Sequence, residues 1–451
     1  MDVDVVLTEP QRTAAIAAAV HVAERLREPA SAAAAAERAA AQSQFPSFAH
    51  WMPPSVAQGN AGLAVLWAFL DRCAPAEGWD LVGKAHLELA ARAAERGIGV
   101  GNGFFSGLSG LAFAAAQLSR DGTRYQRLLA TLDDAVARET MRLAAHIRTN
   151  CSNGVSVGDF DVISGLSGTG AYLLCRHDQP AIHVALANAV DVLTMLIVSE
   201  QSPPAWHTPA RLLYDDITRK SYPFGNLNCG LAHGAPGMLA FLSLVRSSGL
   251  SFPRLDDAIV IIADWLIAHR LDDEYGVNWP TAVPLEEAET AAGSQLRPIA
   301  RTDWGRPSRS AWCYGSPGVA RSLSLAGQAL DRSEYRDVAV SAMEAIFRRP
   351  VPDRMIDSPT FCHGVAGLLA VTLRFARETG SACFAEESKT LVKQLLDAFQ
   401  PDSLLGYRNL EHGGNETDQP GLLDGAAGVS LVLLTAATGV EPTWDRAFLL
   451  A

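Results

Sequence analysis

Phe361-Cys362-His363-Gly364-Val365-Ala366-Gly367-Leu368-Leu369-Ala370-Val371 decides how the rest of the chain is read. Two glycines three apart run straight into an apolar stretch. The device recurs at Gly59/Gly62, Gly107/Gly110, Gly165/Gly168, Gly234/Gly237, Gly315/Gly318 and Gly425/Gly428. An internal repeat sets the architecture before any single residue is weighed. Glycine lets a helix begin tightly, and its missing side chain lets neighbouring backbones approach. From Gly59 to Gly107 is 48 residues and from Gly234 to Gly315 is 81, room for two helices between successive turns.

The intervening segments carry helical periodicity. Leu128, Leu132, Val136, Leu143 and Ile147 share one face at four- and seven-residue spacing. Leu391, Leu395 and Phe399 do the same, with Ser388 as the expected N-cap. Ile259, Ile262, Trp265 and Leu266 follow Asp256 and Asp257. Apolar–polar alternation over several positions is hard to find, so the class is all-α. One helix of each pair, rich in Gly, Ala and Ser, is expected to be buried, and the other, more charged, to face water. Seven such pairs stack as an open solenoid or close as an α/α toroid. The last turn, Gly425-Ala426-Ala427-Gly428-Val429, is as apolar as the internal ones, whereas an open solenoid needs a polar cap. A closed, double-layered α/α toroid of seven helical hairpins is therefore expected, as one domain over 1–451. Two proline-bearing stretches break the period, 200–226 and 275–309, and are read as irregular rim insertions over the site. Residues 31–43 form an alanine-rich helix with no functional signal.

Composition narrows the function. Hydrophobic residues make up 48% of the chain, enough for a large core, and the formal charge of −12 argues against a nucleic-acid binder. The sequence shows no apolar run long enough to span a bilayer. Its first residues lack the basic-then-apolar order of a signal peptide, so the cytoplasm is the expected compartment. Seven cysteines, an odd number, do not suggest a disulfide framework. Cys73, Cys151, Cys175 and Cys383 read as small buried hydrophobes or surface thiols.

The chemistry sits in the turns. Trp312-Cys313-Tyr314-Gly315 and Phe361-Cys362-His363-Gly364 place two thiols and an imidazole at equivalent positions of two repeats. Thiolate and imidazole are the donors zinc favours, and a catalytic zinc keeps three protein ligands and an open position. Both cysteines fall near helix N-termini, where partial positive charge favours thiolate. Cys313, Cys362 and His363 are thus the expected ligands of one Zn²⁺ per chain. Such a site can activate a thiol or a water, and soft ligands tilt the choice toward sulfur.

Asn226-Leu-Asn-Cys229-Gly-Leu-Ala-His233-Gly, Trp312-Cys313-Tyr314-Gly315-Ser-Pro-Gly318 and Phe361-Cys362-His363-Gly364-Val-Ala-Gly367 resemble the signature blocks of the lanthionine synthetase C-like (LanC) family. Asp161-Val-Ile-Ser-Gly165-Leu-Ser-Gly168 resembles its aspartate-bearing third repeat. The resemblance covers nearly the whole chain and implies a zinc-centred α/α toroid. It also implies cyclisation, in which cysteine thiols of a dehydrated precursor peptide add to dehydroalanine or dehydrobutyrine to give thioether rings. Dehydratase–cyclase fusions are much longer, so a stand-alone cyclase of a class I lanthipeptide pathway is expected. The family further implies partnership with a dehydratase and an export transporter, and peripheral association with a membrane-bound biosynthetic complex. Carried over residue by residue, Cys313, Cys362 and His363 match the zinc ligands, His233 the active-site histidine and Asp161 the acid near it. Arg309 and Tyr314 match further pocket positions.

Each role has a plainer counterpart. His233 is a candidate acid, base or both, or a histidine that merely caps a turn. Asp161 is a candidate proton acceptor or a simple N-cap. Arg309 would stabilise an enolate or pair with a carboxylate, and Tyr314 is functional or packing. Cys229 reads as packing, because three ligands are already assigned. Three other functions stand beside cyclisation: addition of glutathione or another thiol to dehydrated proteins, a non-catalytic zinc-stabilised peptide scaffold, and sugar processing. A scaffold has no use for an acid–base pair, and a sugar-processing toroid should present paired carboxylates.

Overall fold

All seven glycine turns begin a helix. A computed structural model describes residues 7–451 except 47–48, 99–100, 102, 291–292, 301–303, 306 and 412. Residues 1–6, which carry most of the signal-peptide reading, lie outside the described residues. The chain divides into two compact units, Met1–Leu132 with Met355–Leu450, and Asp133–Arg354 with Ala451.

The first unit contains α1 (Glu9–Leu26), α2 (Pro29–Gln42), α3 (Asn60–Cys73), α4 (Trp79–Glu95) and α5 (Leu108–Leu118). A long helix, α6 (Gln126–Asn150), runs from it into the second. The second holds α7 (Val157–Phe160), α8 (Leu166–Cys175), α9 (Pro180–Val198), α10 (Asp216–Ser221), α11 (Ala235–Ser247), α12 (Leu255–Ala268), α13 (Ser316–Ala329) and α14 (Ser333–Arg348). The chain returns to the first unit as α15 (Val365–Thr379), α16 (Ala382–Asp397) and α17 (Ala426–Thr438).

The pairing follows the repeat. Helices α3 and α4, α15 and α16, α8 and α9, α11 and α12, and α13 and α14 pack as hairpins. The glycine-turn helix of a pair is buried all round, as α3 is from Asn60 to Asp71. Its partner α4 buries only Trp79, Gly83, His86, Leu87, Ala90 and Ala93, one face at three- and four-residue spacing. That division of labour is the one the sequence predicts. One pair is not a sequence hairpin: α17 finds its partner in α1, from the other end of the chain. Helix α1 begins with a capping box at Thr8 and Gln11 and lays Ala15, Ala18, Ala19, Val22, Ala23 and Leu26 inward.

Three sequence readings need correction. Ser388 is not an N-cap; α16 starts at Ala382 behind Ser381, and Ser388 lies buried inside it with Oγ donating to the Phe384 carbonyl at 2.8 Å. Segment 275–309 is not wholly irregular. It carries β2 (Ala282–Thr290) and β3 (Gly293–Pro298), which join β1 (Asn226–Asn228) in an antiparallel sheet of order β1-β2-β3. Leu227 stands opposite Val283 and Glu287 opposite Leu296. Pro284 and three glutamates in β2 obscure the strand in the sequence. Two shorter strands, β4 (Asn409–Leu410) and β5 (Glu416–Thr417), pair in the first unit. Finally, α9 is apolar and, at 19 residues, long enough to cross a membrane by length and composition. It packs against α8 and α12 and buries Ile182, Leu186, Val190, Leu193 and Ile197, the pattern of a core helix.

A buried histidine gives the first unit an acid-sensitive joint. His86 is fully enclosed beside Trp67, which stacks on Trp79 at 5.5 Å between ring centroids. Asn60 Nδ2 lies 3.0 Å from His86 Nδ1, and Nε2 lies 3.3 Å from the Arg27 carbonyl. Asn60 donates to Nδ1 and Nε2–H donates to the carbonyl, so the neutral ring is satisfied. Burial pulls the His86 pKa down to about 4, below its unfolded value. Stability is therefore complete above the unfolded pKa of about 6.5 and is lost as pH falls toward 4, where the loss reaches about 3 kcal/mol. Urea unfolding at pH 7 and pH 4.5 should show this drop in wild type and a flatter dependence in His86→Gln. Equal slopes would remove His86 as its source.

Candidate functional site

Neighbouring turns are tied by their backbones. In the second unit Val162 N donates to Ala232 O at 3.0 Å and Ala232 N to Cys313 O at 3.2 Å, linking the third, fourth and fifth turns. In the first unit Cys362 N donates to Leu423 O at 2.9 Å, Leu422 N to Ala57 O at 2.9 Å and Val56 N to Phe105 O at 2.9 Å, linking the sixth, seventh, first and second. A side chain just before one turn's first glycine is thereby held near its counterpart on the next. In this way residues far apart in sequence are placed together within each unit.

Asp161 and His233 meet across the third and fourth turns. Asp161 is buried, and its Oδ2 lies 2.6 Å from His233 Nδ1. Its Oδ1 accepts from Ser164 N at 2.7 Å and Gly165 N at 2.8 Å. Asp161 thus braces the turn and partners His233, while the N-cap of α8 is Gly165, so the simple N-cap reading of Asp161 does not hold. A carboxylate accepting at Oδ2 fixes the proton on Nδ1 and leaves Nε2 as the unprotonated ring nitrogen. The His233 side chain is about one-third exposed, at 35%.

Tyr314, on the fifth turn, approaches His233 with 6.1 Å between ring centroids. Asn228 Nδ2 donates to its hydroxyl at 3.1 Å, while Asn228 Oδ1 accepts from Gly230 N at 2.8 Å. Burial raises the Tyr314 pKa, and the Asn228 bond only partly offsets it, so the hydroxyl stays protonated. Asn228 was not singled out in the sequence; its place in β1, leading into the His233 turn, is the signal for it. Cys313 is buried on the same turn as Tyr314, and the Arg309 side chain is exposed. Among the described residues no carboxylate pairs with Arg309. Cys229 is fully enclosed, and burial drives its thiol pKa far up, as suits a packing residue.

Cys362 and His363 are brought together with a third donor that sequence reasoning missed. One donor atom each from Cys362, His363 and Asp424 lies within 4.8 Å of the others. His363 Nδ1 is 3.4 Å from Asp424 Oδ1, and that oxygen is buried without a hydrogen-bond partner. Burial raises the Asp424 pKa, with the nearby His363 acting the other way. Sulfur, imidazole nitrogen and carboxylate oxygen form a donor set suited to zinc. Asp424 occupies the position before Gly425 that His363 holds before Gly364 and His233 before Gly234. Comparing that position across the turns would have found it.

A family model described as "Lanthionine synthetase C-like protein" matches residues 50–449. The chain belongs to the lanthionine synthetase C-like family. This LanC-like chain is 26% identical over 353 residues to the nisin biosynthesis protein NisC of Lactococcus lactis subsp. lactis, covering 77% of each. Among solved structures it is similar to a nisin cyclase with a TM-score of 0.73 and 22% identity, over 92% of this chain and 96% of that one. The LanC-like chain shares that fold, and the all-α, α/α toroid class read from the glycine turns holds.

Proposed function

We propose that the LanC-like chain is a zinc-dependent lanthipeptide cyclase acting on a dehydrated precursor peptide in the cytoplasm. Membership of the family and likeness to the nisin proteins support a thioether-forming enzyme. The observation that carries the reading beyond a scaffold is the Asp161–His233 pair, whose geometry leaves one imidazole nitrogen free for proton transfer. Cys362 and His363 would hold the zinc, with Cys313 the further ligand that the resemblance implies; when bound, zinc lowers the pKa of a thiol so that thiolate forms at neutral pH.

The chain's own residues supply the rest. A peptide cysteine loses its S–H proton and its sulfur bonds to the β-carbon of the dehydrated residue. The alkene electrons shift toward the carbonyl, and the α-carbon takes up a proton, so atoms balance and mass does not change. His233 Nε2 would carry the proton, a role supported by histidine's titration near working pH and by the tautomer that Asp161 fixes. Asp161 is a positioning residue, since its oxygens already accept three N–H groups. Arg309, exposed and cationic, suits the developing enolate, and the Tyr314 hydroxyl, oriented by Asn228, provides a further polar contact. A dehydratase and an export transporter complete the proposed setting.

Incubation with a dehydrated precursor peptide tests this. The peptide should keep its mass while its cysteines stop reacting with an alkylating agent, one thiol lost per ring. Cysteines that stay alkylatable would leave a scaffold; a mass gain dependent on added glutathione would mark intermolecular thiol addition.

A further inference from the structure

We propose that Asp424 is a metal ligand, its Oδ1 forming with Cys362 Sγ and a His363 ring nitrogen a three-donor face carried wholly by the segment Met355–Leu450. This rests on the metal reading above and goes beyond it, because the ligands implied by the family resemblance do not include Asp424.

Three observations carry the assignment. The Nδ1–Oδ1 separation of 3.4 Å is too long for a charge-assisted hydrogen bond, which closes to about 2.7–2.9 Å. It matches the edge of a tetrahedron with metal–nitrogen and metal–oxygen bonds near 2.0–2.1 Å, about 3.3 Å. Second, Asp424 Oδ1 is buried with no hydrogen-bond partner. A buried acceptor left unpaired costs about 1–3 kcal/mol and calls for an occupant. Third, the backbone holds the donors in place. Cys362 N donates to Leu423 O at 2.9 Å, which ties the residue before Asp424 to the first of the other two donors. Gly364 and Gly425, which follow His363 and Asp424, both cap their helices in extended conformation, so the two side chains leave equivalent turns. The carboxylate oxygen is the hardest of the three donors and the one with which a soft external thiol competes best.

The test uses the full chain, stripped of metal and titrated with Co²⁺ alone. Wild type should show a thiolate-to-cobalt charge-transfer band together with ligand-field bands. Asp424→Ala should bind Co²⁺ at least about tenfold more weakly, the low end of what even an outer-shell partner costs. Its ligand-field bands should shift while the charge-transfer band persists. Asp424→Asn, nearly isosteric, should move both readouts in the same direction, and far-UV circular dichroism of the metal-free forms checks folding. Unchanged affinity and bands in a folded variant would overturn Asp424 as a ligand and leave the metal reading standing. A wild type without the charge-transfer band at any loading would overturn both.

Discussion

Replacing His233 by alanine should slow ring formation by about 10²–10⁴-fold, the usual worth of a positioned general acid or base. Metal content should not change, because His233 is not among the proposed ligands. The expectation follows from the pair's geometry. Asp161 Oδ2 accepts from Nδ1 at 2.6 Å, so only Nε2 is left to exchange a proton. Asp161→Asn sharpens the point. The amide oxygen can keep the bonds from Ser164 N and Gly165 N, but its NH₂ then faces Nδ1 and drives the ring proton to Nε2. The turn should persist, with an unfolding midpoint near that of wild type, while turnover falls with that of His233→Ala. Measured rates on a dehydrated peptide, beside elemental analysis for zinc, decide it. A His233→Ala protein that cyclises at the wild-type rate would return the histidine to a capping role.

The second large effect is on folding. Gly315 has φ +106° and ψ −171°, a conformation essentially restricted to glycine. A Cβ there would sit 1.5 Å from the Arg309 carbonyl oxygen, a backbone atom that cannot swing aside. Gly315→Ala should therefore cost about 3 kcal/mol or more, strain and clash together. Because Arg309, Cys313 and Tyr314 share that turn, zinc and cyclisation should be lost with it. Gly249→Ala is the comparison: φ is +83° but a Cβ there meets nothing within 4 Å, so only about 1–2 kcal/mol of left-handed strain applies. Urea midpoints of the two variants give the contrast, and equal shifts would remove the clash from the account.

The glycine turns were legible because their spacing states a steric requirement. At Gly62, for example, a Cβ would lie 2.1 Å from the Val56 carbonyl oxygen, so the sequence can offer little else. Cys313, Cys362 and His363 stood out because thiol and imidazole are rare before such turns. Asp424 did not, since an acid before a helix is commonplace, and its meaning depends on the Cys362–Leu423 backbone bond. The Asp161–His233 pair was visible through family resemblance; no spacing of 72 residues announces a contact. Strands β2 and β3 were hidden because their order comes from hairpin pairing more than from an alternating pattern. Helix α1 has no glycine turn of its own, so the repeat does not announce it.

That last helix has a consequence for how the protein is made. Helix α1 is translated well ahead of the helix it packs against, which runs from Ala426 onward. At about 5–20 residues per second, some 400 residues of synthesis separate Leu26 from that partner, roughly 20–80 s. During that interval the waiting face presents four alanines with only Val22 and Leu26 as larger apolar groups. A nascent chain with such a face offers chaperones and neighbouring chains little to grip. Any clone truncated before α17 should emerge with its first helix unpaired.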